Sequence, residues 1–170
     1  ATSRRQRQMC IRDSNNGDYS SPPKKGLKAF SRNYTSTLFD KEGYEEGLHL
    51  NLFDGFEDTE SYLNFMDSFF GSIDANDLLG MLNTWQMGDI GKHEKFNNNT
   101  KEALANINCP ALVMPSSTDL SFPARNNIPE VKGMPNAELK VIKTKHGHLA
   151  GGMSTTLTSQ EDVTLSLIHI

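Results

Sequence analysis

The fold is decided by two short, mainly apolar runs, Ala111-Leu112-Val113-Met114 and Leu139-Lys140-Val141-Ile142. Their length and composition predict two β-strands, each bounded by turn-forming residues. The loop after the first run contains Asp119, and the loop after the second contains His148. Enzymes built on a parallel α/β sheet keep their functional residues just beyond the carboxyl ends of the strands, so these two residues are the candidate site.

The segment between the two runs predicts a helix within 123–132, carrying Ile128 and Val131, followed by a turn at 134–137. A strand, a helix and a strand in this order predict a parallel pair joined by a right-handed crossover. The fold class expected from the residues is therefore α/β.

Two clear amphipathic helices precede this region. One is predicted from an N-cap at Asp58 or Thr59 to Gly71, and the other from Asp74 to Gly88, because apolar residues recur every three or four positions between these ends. Together they suggest a helical hairpin. Residues 15–40 read as a loop that leads into a short amphipathic piece near Leu38 and Phe39, since they are rich in Ser, Asn, Lys, Gly and Pro.

A third, short helix is predicted from an N-cap at Thr100 through Ile107, before Cys109 and Pro110 open the first strand. Cys109 is expected to be buried and inert in that position.

Four segments follow from these patterns. Residues 1–14 and 158–170 are expected to be non-native or disordered tails, 15–100 a loop and helical region, which the family resemblance described below makes a helical cap, and 101–157 an α/β region, which the same resemblance makes the last part of a core. Residues 9–14 and 166–170 resemble translated sequencing-adapter read-through, which predicts that the chain is a truncated fragment; a native disordered basic arm is the alternative for the first tail.

Composition excludes several classes of protein. The 170 residues carry a formal net charge of −4, which favours no nucleic-acid partner. No apolar stretch reaches the roughly 20 residues that cross a bilayer, so no membrane contact and a cytoplasmic location are expected. The two cysteines, Cys10 and Cys109, are far apart, which argues against a disulfide framework and a structural zinc site.

The chemistry expected of Asp119 and His148 follows from their order. In serine enzymes with this type of sheet, the nucleophile, the acid and the histidine follow one another along the chain, so the pair fits the last two members of a triad. A histidine titrates near neutrality and can act as a base, while an aspartate holds its ring in one tautomer. The alternative is an Asp that caps the following helix and a surface histidine.

Other chemistry is less well supported. His146 and His148 could share a metal ion, but no third ligand with suitable spacing lies nearby, and no metal is expected. The nucleophile is missing, because no Gly-x-Ser-x-Gly motif occurs in the sequence. The chain therefore carries two thirds of a triad.

Much of the chain, from about Ser31 to Gly152, resembles the C-terminal half of homoserine O-acetyltransferase-like proteins of the α/β-hydrolase fold. The residues that carry the resemblance are Asp74–Leu79, Thr84–Gln86, Ala111–Pro115, Asp119–Pro123, Met134–Leu139 and Gly147–Gly152. The resemblance implies a helical cap followed by the last two parallel core strands, with Asp119 as the triad acid and His148 as the triad base.

The resemblance also implies a reaction. Members of that family pass an acetyl group from acetyl-CoA, through a serine, to the hydroxyl of homoserine, a step toward methionine, so acetyl-CoA would be a co-substrate and no cofactor would stay bound. Leu149 departs from the family, which usually has an acidic residue after the catalytic histidine, and a neutral acceptor or water would suit this site better.

Three hypotheses remain open: a serine-dependent acyltransferase acting on a small molecule, an esterase on the same scaffold, and a non-catalytic interaction module. A homodimer through the cap helices is a further open alternative. Two parallel strands without neighbouring strands would expose backbone edges, so we expect the isolated chain to be marginally stable and prone to self-association.

Overall fold

A computed structural model of the chain describes residues 15–53 and 55–151. The predicted tails at 1–14 and 158–170, and the end of the predicted core segment at 152–157, lie outside these residues. The helices and strands are α1 (Lys24–Thr35), α2 (Lys41–Glu45), α3 (Thr59–Gly71), α4 (Ala75–Met87), α5 (Thr100–Ala105), β1 (Ala111–Val113), α6 (Ala124–Gly133) and β2 (Ala137–Leu139). Single 3₁₀ turns lie at Asn15–Gly17, Leu48–Asn51, Ile90–Lys92, Glu94–Phe96 and Gly147–Leu149.

The described residues form two compact units. One, called here the helical unit, comprises described residues of Ala1–Ser36 and His49–Gly88; the other, the strand unit, comprises those of Thr37–Leu48 and Asp89–Ile170. Residues 37–48 and 89–100 thus belong to the same unit as the strands. The division of the chain at residue 100 stays a prediction.

The helical unit is held together by aromatic and aliphatic side chains on one face of each helix. Helix α1 packs against α3, and Phe30 of α1 meets Phe70 of α3 edge to face with ring centroids 5.1 Å apart. The buried apolar side chains of this unit are Leu27, Phe30, Leu52, Tyr62, Met66, Phe70, Ala75, Leu78 and Leu82. Arg32 also joins the two helices, because its guanidinium donates to the carboxylate of Asp67 at 2.8 Å.

Helices α3 and α4 confirm the pattern read from the sequence. Asp58 caps α3 by accepting a hydrogen bond from the Ser61 amide at 2.7 Å, and Asp74 caps α4 by accepting one from the Asn76 amide at 2.8 Å. Gly88 follows the last residue of α4. The predicted hairpin is wrong, however: α3 packs mainly against α1 instead of α4.

Helix α1 corrects the expectation that residues 15–40 form a loop. Leu27, Phe30 and Tyr34 recur at helical spacing, and Pro23 stands at the N-cap, where a missing amide proton costs nothing. The small buried residues Gly26 and Ser31 interrupt the apolar pattern, and that hid the helix in the sequence. The short amphipathic piece expected near Leu38 and Phe39 is not a helix: both residues are buried, and they belong to the turn that joins α1 to α2 along the chain.

The strand unit contains the predicted parallel pair. Ala111 lies opposite Ala137 and Val113 opposite Leu139, and an isolated bridge between Ser116 and Ile142 continues the pairing beyond the strands. Helix α6 connects the strands and packs against β2. The predicted parallel pairing and its connecting helix are confirmed.

The ends of the strands differ from the expected ones. Strand β1 stops at Val113 because Pro115 interrupts regular pairing, and β2 begins two residues early, at Ala137, which was expected in a turn. Helix α5 ends at Ala105 and its N-cap is Asn99, one residue before the predicted Thr100. Cys109 is exposed, because it lies in the loop before Pro110.

Among the described residues, no helix is long and apolar enough to span a membrane.

Candidate active site

Asp119 lies in the loop after β1, and its own loop fixes its carboxylate. The Oδ1 atom accepts hydrogen bonds from the backbone amides of Ser121 at 2.7 Å and Phe122 at 2.9 Å. Such a turn forms readily because Asp side chains bond to amides two or three residues further on. The side chain of Asp119 is only 10% exposed, so its second oxygen has a defined direction.

That second oxygen meets His148. The distance between Asp119 Oδ2 and His148 Nδ1 is 2.9 Å, and the His148 side chain is 23% exposed. An ionised carboxylate can only accept, so Nδ1 donates the proton. In the neutral imidazole this tautomer leaves Nε2 as the basic nitrogen, which is the arrangement a general base requires.

The loop that carries His148 rests on residues 38–46. The His148 amide donates to the Leu38 carbonyl oxygen at 2.8 Å. Gly147 has a φ of +55°, and a Cβ atom there would lie 2.8 Å from the Cα of Phe39 and closer still to the carbonyl oxygen of Leu38. Glycine is therefore needed at 147 both for the left-handed backbone and for the close approach.

Lys145, three residues before His148, also contacts helix α2 and the residue after it. Lys145 forms ion pairs with Glu46 at 2.5 Å and Glu42 at 3.4 Å, on and beside α2. Gly43 of α2 lies against the Lys145 carbonyl, where a Cβ atom would be only 2.5 Å from that oxygen. The short helix α2 and the histidine loop thus fit together through main-chain contacts and charge.

Two threonines join the acid loop to the histidine loop. The Thr118 hydroxyl donates to the Thr144 carbonyl oxygen at 2.7 Å and accepts from the Gly147 amide at 3.1 Å. Thr144 Oγ1 lies 2.7 Å from His146 Nδ1. Burial lowers the pKa of His146, which favours its neutral form.

The structure thus brings together the two residues singled out from the sequence. Asp119 and His148 are 29 residues apart in the chain and hydrogen-bonded in space. Their catalytic role stays a prediction. No cluster of three or more metal-ligating side chains occurs among the described residues.

Sequence reasoning missed the supporting residues, Leu38, Gly43 and Thr118. A backbone carbonyl such as that of Leu38 leaves no trace in a sequence. Thr118 could have been noticed as a hydroxyl residue directly before the candidate acid, in a loop rich in Ser and Thr.

Comparison with known proteins gives the fold class. The chain is 31% identical to an acetylester hydrolase from Corynebacterium glutamicum of known structure, with a TM-score of 0.83 over 98% of this chain and 48% of that one. The acetyl esterase MekB is 28% identical, with a TM-score of 0.85 over 98% of this chain and 49% of that one. The chain therefore has the C-terminal portion of an α/β-hydrolase fold, a helical cap with the last two parallel core strands, as predicted.

Two curated sequences are similar to most of the chain. A probable esterase of Corynebacterium glutamicum is 35% identical over 138 residues, 79% of this chain and 38% of the esterase. The ethyl acetate hydrolase of Pseudomonas veronii is 32% identical over 125 residues, 73% of this chain and 35% of the hydrolase. No protein-family model matches the chain. The chain belongs to the α/β-hydrolase superfamily, and it spans less than half the length of these relatives.

The similarity to a homoserine O-acetyltransferase is lower than the similarity to the two ester-cleaving relatives. The homoserine O-acetyltransferase of Emericella nidulans is 28% identical over 134 residues, 76% of this chain and 26% of that enzyme. The relatives are enzymes, and the two with higher identity are a probable esterase and an ethyl acetate hydrolase.

Proposed function

We propose that the protein containing this chain is a serine-dependent ester hydrolase for small acyl esters, acetyl esters first among them. The observation that carries the proposal is the 2.9 Å hydrogen bond between Asp119 Oδ2 and His148 Nδ1, formed at the ends of two parallel strands. The names of the relatives at 31–35% identity support hydrolysis of esters as the reaction.

In the proposed mechanism, His148 Nε2 takes the proton of a serine hydroxyl as that oxygen attacks the ester carbonyl. Asp119 stabilises the imidazolium that forms, through the Nδ1 hydrogen bond. His148 then gives the proton to the leaving alcohol, and water, activated by the same histidine, releases the acid from the acyl-serine. The serine and the oxyanion donors would come from the part of the relatives' length that this chain does not span.

Acyl transfer to a hydroxyl acceptor is the second candidate. It is supported by the similarity to a homoserine O-acetyltransferase and needs acetyl-CoA as co-substrate. Leu149 favours hydrolysis, because it places an apolar, half-buried side chain directly after His148, where an acidic residue would suit the ammonium group of homoserine. A cytoplasmic location, a small-molecule substrate and a homodimer through the cap helices remain predictions.

The test begins with the coding sequence upstream of Asn15 in the source nucleic acid. We expect an in-frame segment with a Gly-x-Ser-x-Gly motif. The complete protein should then hydrolyse ethyl acetate and p-nitrophenyl acetate, and His148→Ala should lower kcat by about 10⁴-fold or more, since loss of a triad base has an effect of this order.

Glu138→Gln, an exposed residue on β2, is the control and should retain full activity. Transfer of acetyl groups from acetyl-CoA to homoserine, faster than ester hydrolysis, would favour the second candidate. A start codon near Asn15 with no serine motif before it would contradict both and leave the interaction module.

A further inference from the structure

Thr118 is neither the acid nor the base of the candidate site, but its side chain joins the loops that carry them. It precedes Asp119 in the loop after β1, and its half-buried hydroxyl reaches across to the loop after β2. There it accepts from the amide of Gly147, the residue directly before His148, at 3.1 Å. One hydroxyl therefore lies one residue from each member of the Asp119–His148 pair.

The same hydroxyl makes a second bond across the gap between the loops. It donates to the Thr144 carbonyl oxygen at 2.7 Å, so both its donor and one of its acceptor positions are used. The Thr118 amide in turn donates to the buried Ser116 hydroxyl at 3.3 Å. The backbone of Thr118 is thus tied to its own loop and its side chain to the other.

The other hydrogen bonds between the two loops lie nearer the strands, where the Ser117 amide donates to the Ile142 carbonyl oxygen at 2.8 Å. The Asp119 carboxylate is fixed by amides of its own loop, and the His148 amide is fixed by Leu38. Neither contact links the acid loop to the histidine loop. Ser117 also exchanges hydrogen bonds with Thr144, at 3.2 Å in each direction, but it is exposed and does not reach Gly147.

We propose that Thr118 is a positioning residue: its hydroxyl sets the distance between the acid loop and the histidine loop, and so holds His148 Nδ1 on Asp119 Oδ2. Its effect on catalysis rests on the function proposed above. Its effect on the hydrogen bond does not, because that bond can be observed without turnover.

The main variant is Thr118→Val, which keeps the shape and the β-branch but removes the hydroxyl. In the complete protein, kcat for p-nitrophenyl acetate should fall about 10- to 30-fold with little change in KM, since the loss of two hydrogen bonds misplaces the base and not the substrate. Thr118→Ser keeps the hydroxyl and should restore most of kcat. Ser117→Ala is the matched control and should retain kcat.

A second measurement follows the hydrogen bond itself. In protein labelled with ¹⁵N-histidine, the Nδ1 proton of His148 should give a far-downfield NMR signal that is absent in His148→Ala. We expect this signal to persist in Thr118→Ser and to weaken or vanish in Thr118→Val.

Unchanged kcat and an unchanged Nδ1 signal in Thr118→Val would overturn the inference while leaving the proposed function intact. Equal losses in Thr118→Val and Ser117→Ala, with a matching drop in Tm, would also overturn it, because a general stabilising role would then suffice. If His148→Ala were as active as the wild type, the proposed function would fail, and the NMR signal would still decide whether Thr118 positions the pair.

Discussion

The helical unit and the strand unit are stabilised by different kinds of contact. In the helical unit, large side chains such as Phe30 and Tyr62 are completely buried, and aromatic rings of α1 and α3 touch. In the strand unit Phe39 is completely buried as well, but the residues of β1 are all half-exposed, and the loops beyond the strands are joined by main-chain and hydroxyl hydrogen bonds.

This difference explains why the candidate site lies in the strand unit. Apolar packing is non-directional and tolerates small adjustments, whereas hydrogen bonds and close backbone contacts fix a side chain in one orientation. Asp119 and His148 lie in the strand unit, among contacts of the second kind. Variants that remove volume should therefore affect the helical unit most, and variants that disturb backbone geometry should affect the site.

The largest effect on stability is expected for Phe30→Ala. Phe30 is 0% exposed, and removing its ring should destabilise the helical unit by about 3–5 kcal/mol through lost burial and the cavity left behind. Hydrogen exchange of α1 and α3 in the complete protein measures this. Phe69→Ala, on the same helix as Phe70 but 53% exposed, should cost less than about 1 kcal/mol. Equal effects of the two variants would contradict the burial argument.

A smaller loss of stability, with a larger loss of activity, is expected for Gly147→Ala. The left-handed backbone alone should cost about 1–3 kcal/mol, and the contact with Leu38 should push the His148 loop away from Asp119. Gly80→Ala is the counterpart in α4: among the described residues, no atom outside the neighbouring backbone of α4 lies within 4 Å of its added Cβ, and helix propensity should stabilise the protein by about 0.5–1 kcal/mol. Urea unfolding and ester hydrolysis, measured on both variants, test the contrast. Full activity in Gly147→Ala would contradict the expectation that this glycine holds the His148 loop in place.

The smallest effect is a pH dependence of the helical unit. Burial alone would raise the pKa of Asp67, but the hydrogen bonds and the charge of Arg32 outweigh it and hold the pKa below its ordinary value. The ionised form is therefore favoured by folding, so its contribution to stability is present above about pH 4 and is lost as the pH falls through the lowered pKa.

The free energy of unfolding, measured with urea, should fall between pH 5 and pH 2. In Asp67→Asn this fall should be smaller by up to about 1 kcal/mol. Arg32→Met should flatten the same pH dependence, because Arg32 lies 2.8 Å from Asp67 whereas Lys28 lies 3.6 Å away. The double variant should match Asp67→Asn, which already lacks the titrating carboxylate. If the free energy of unfolding of Asp67→Asn fell between pH 5 and pH 2 as much as that of the wild type, the ion pair would not couple folding to pH.

The sequence predicted the elements whose signals are local. Helices α3 and α4 begin directly after Asp58 and Asp74, whose side chains cap them, and apolar residues recur along both. The parallel pairing of β1 and β2 followed from the strand, helix, strand order, which allows one handedness. Helix α1 was missed because Gly26 and Ser31, although buried, weaken the apolar pattern that a helix needs to be recognised.

By itself the sequence determined which residues could form an acid and base pair, because Asp119 and His148 follow apolar runs in the chain order that α/β hydrolases use. Only the tertiary structure decided that their side chains meet at 2.9 Å and what holds them there. The Leu38 carbonyl, the left-handed Gly147 and the Thr118 hydroxyl act through contacts between segments up to about 110 residues apart in the chain. Such contacts depend on how the backbone folds back on itself, and no local pattern of side chains records them.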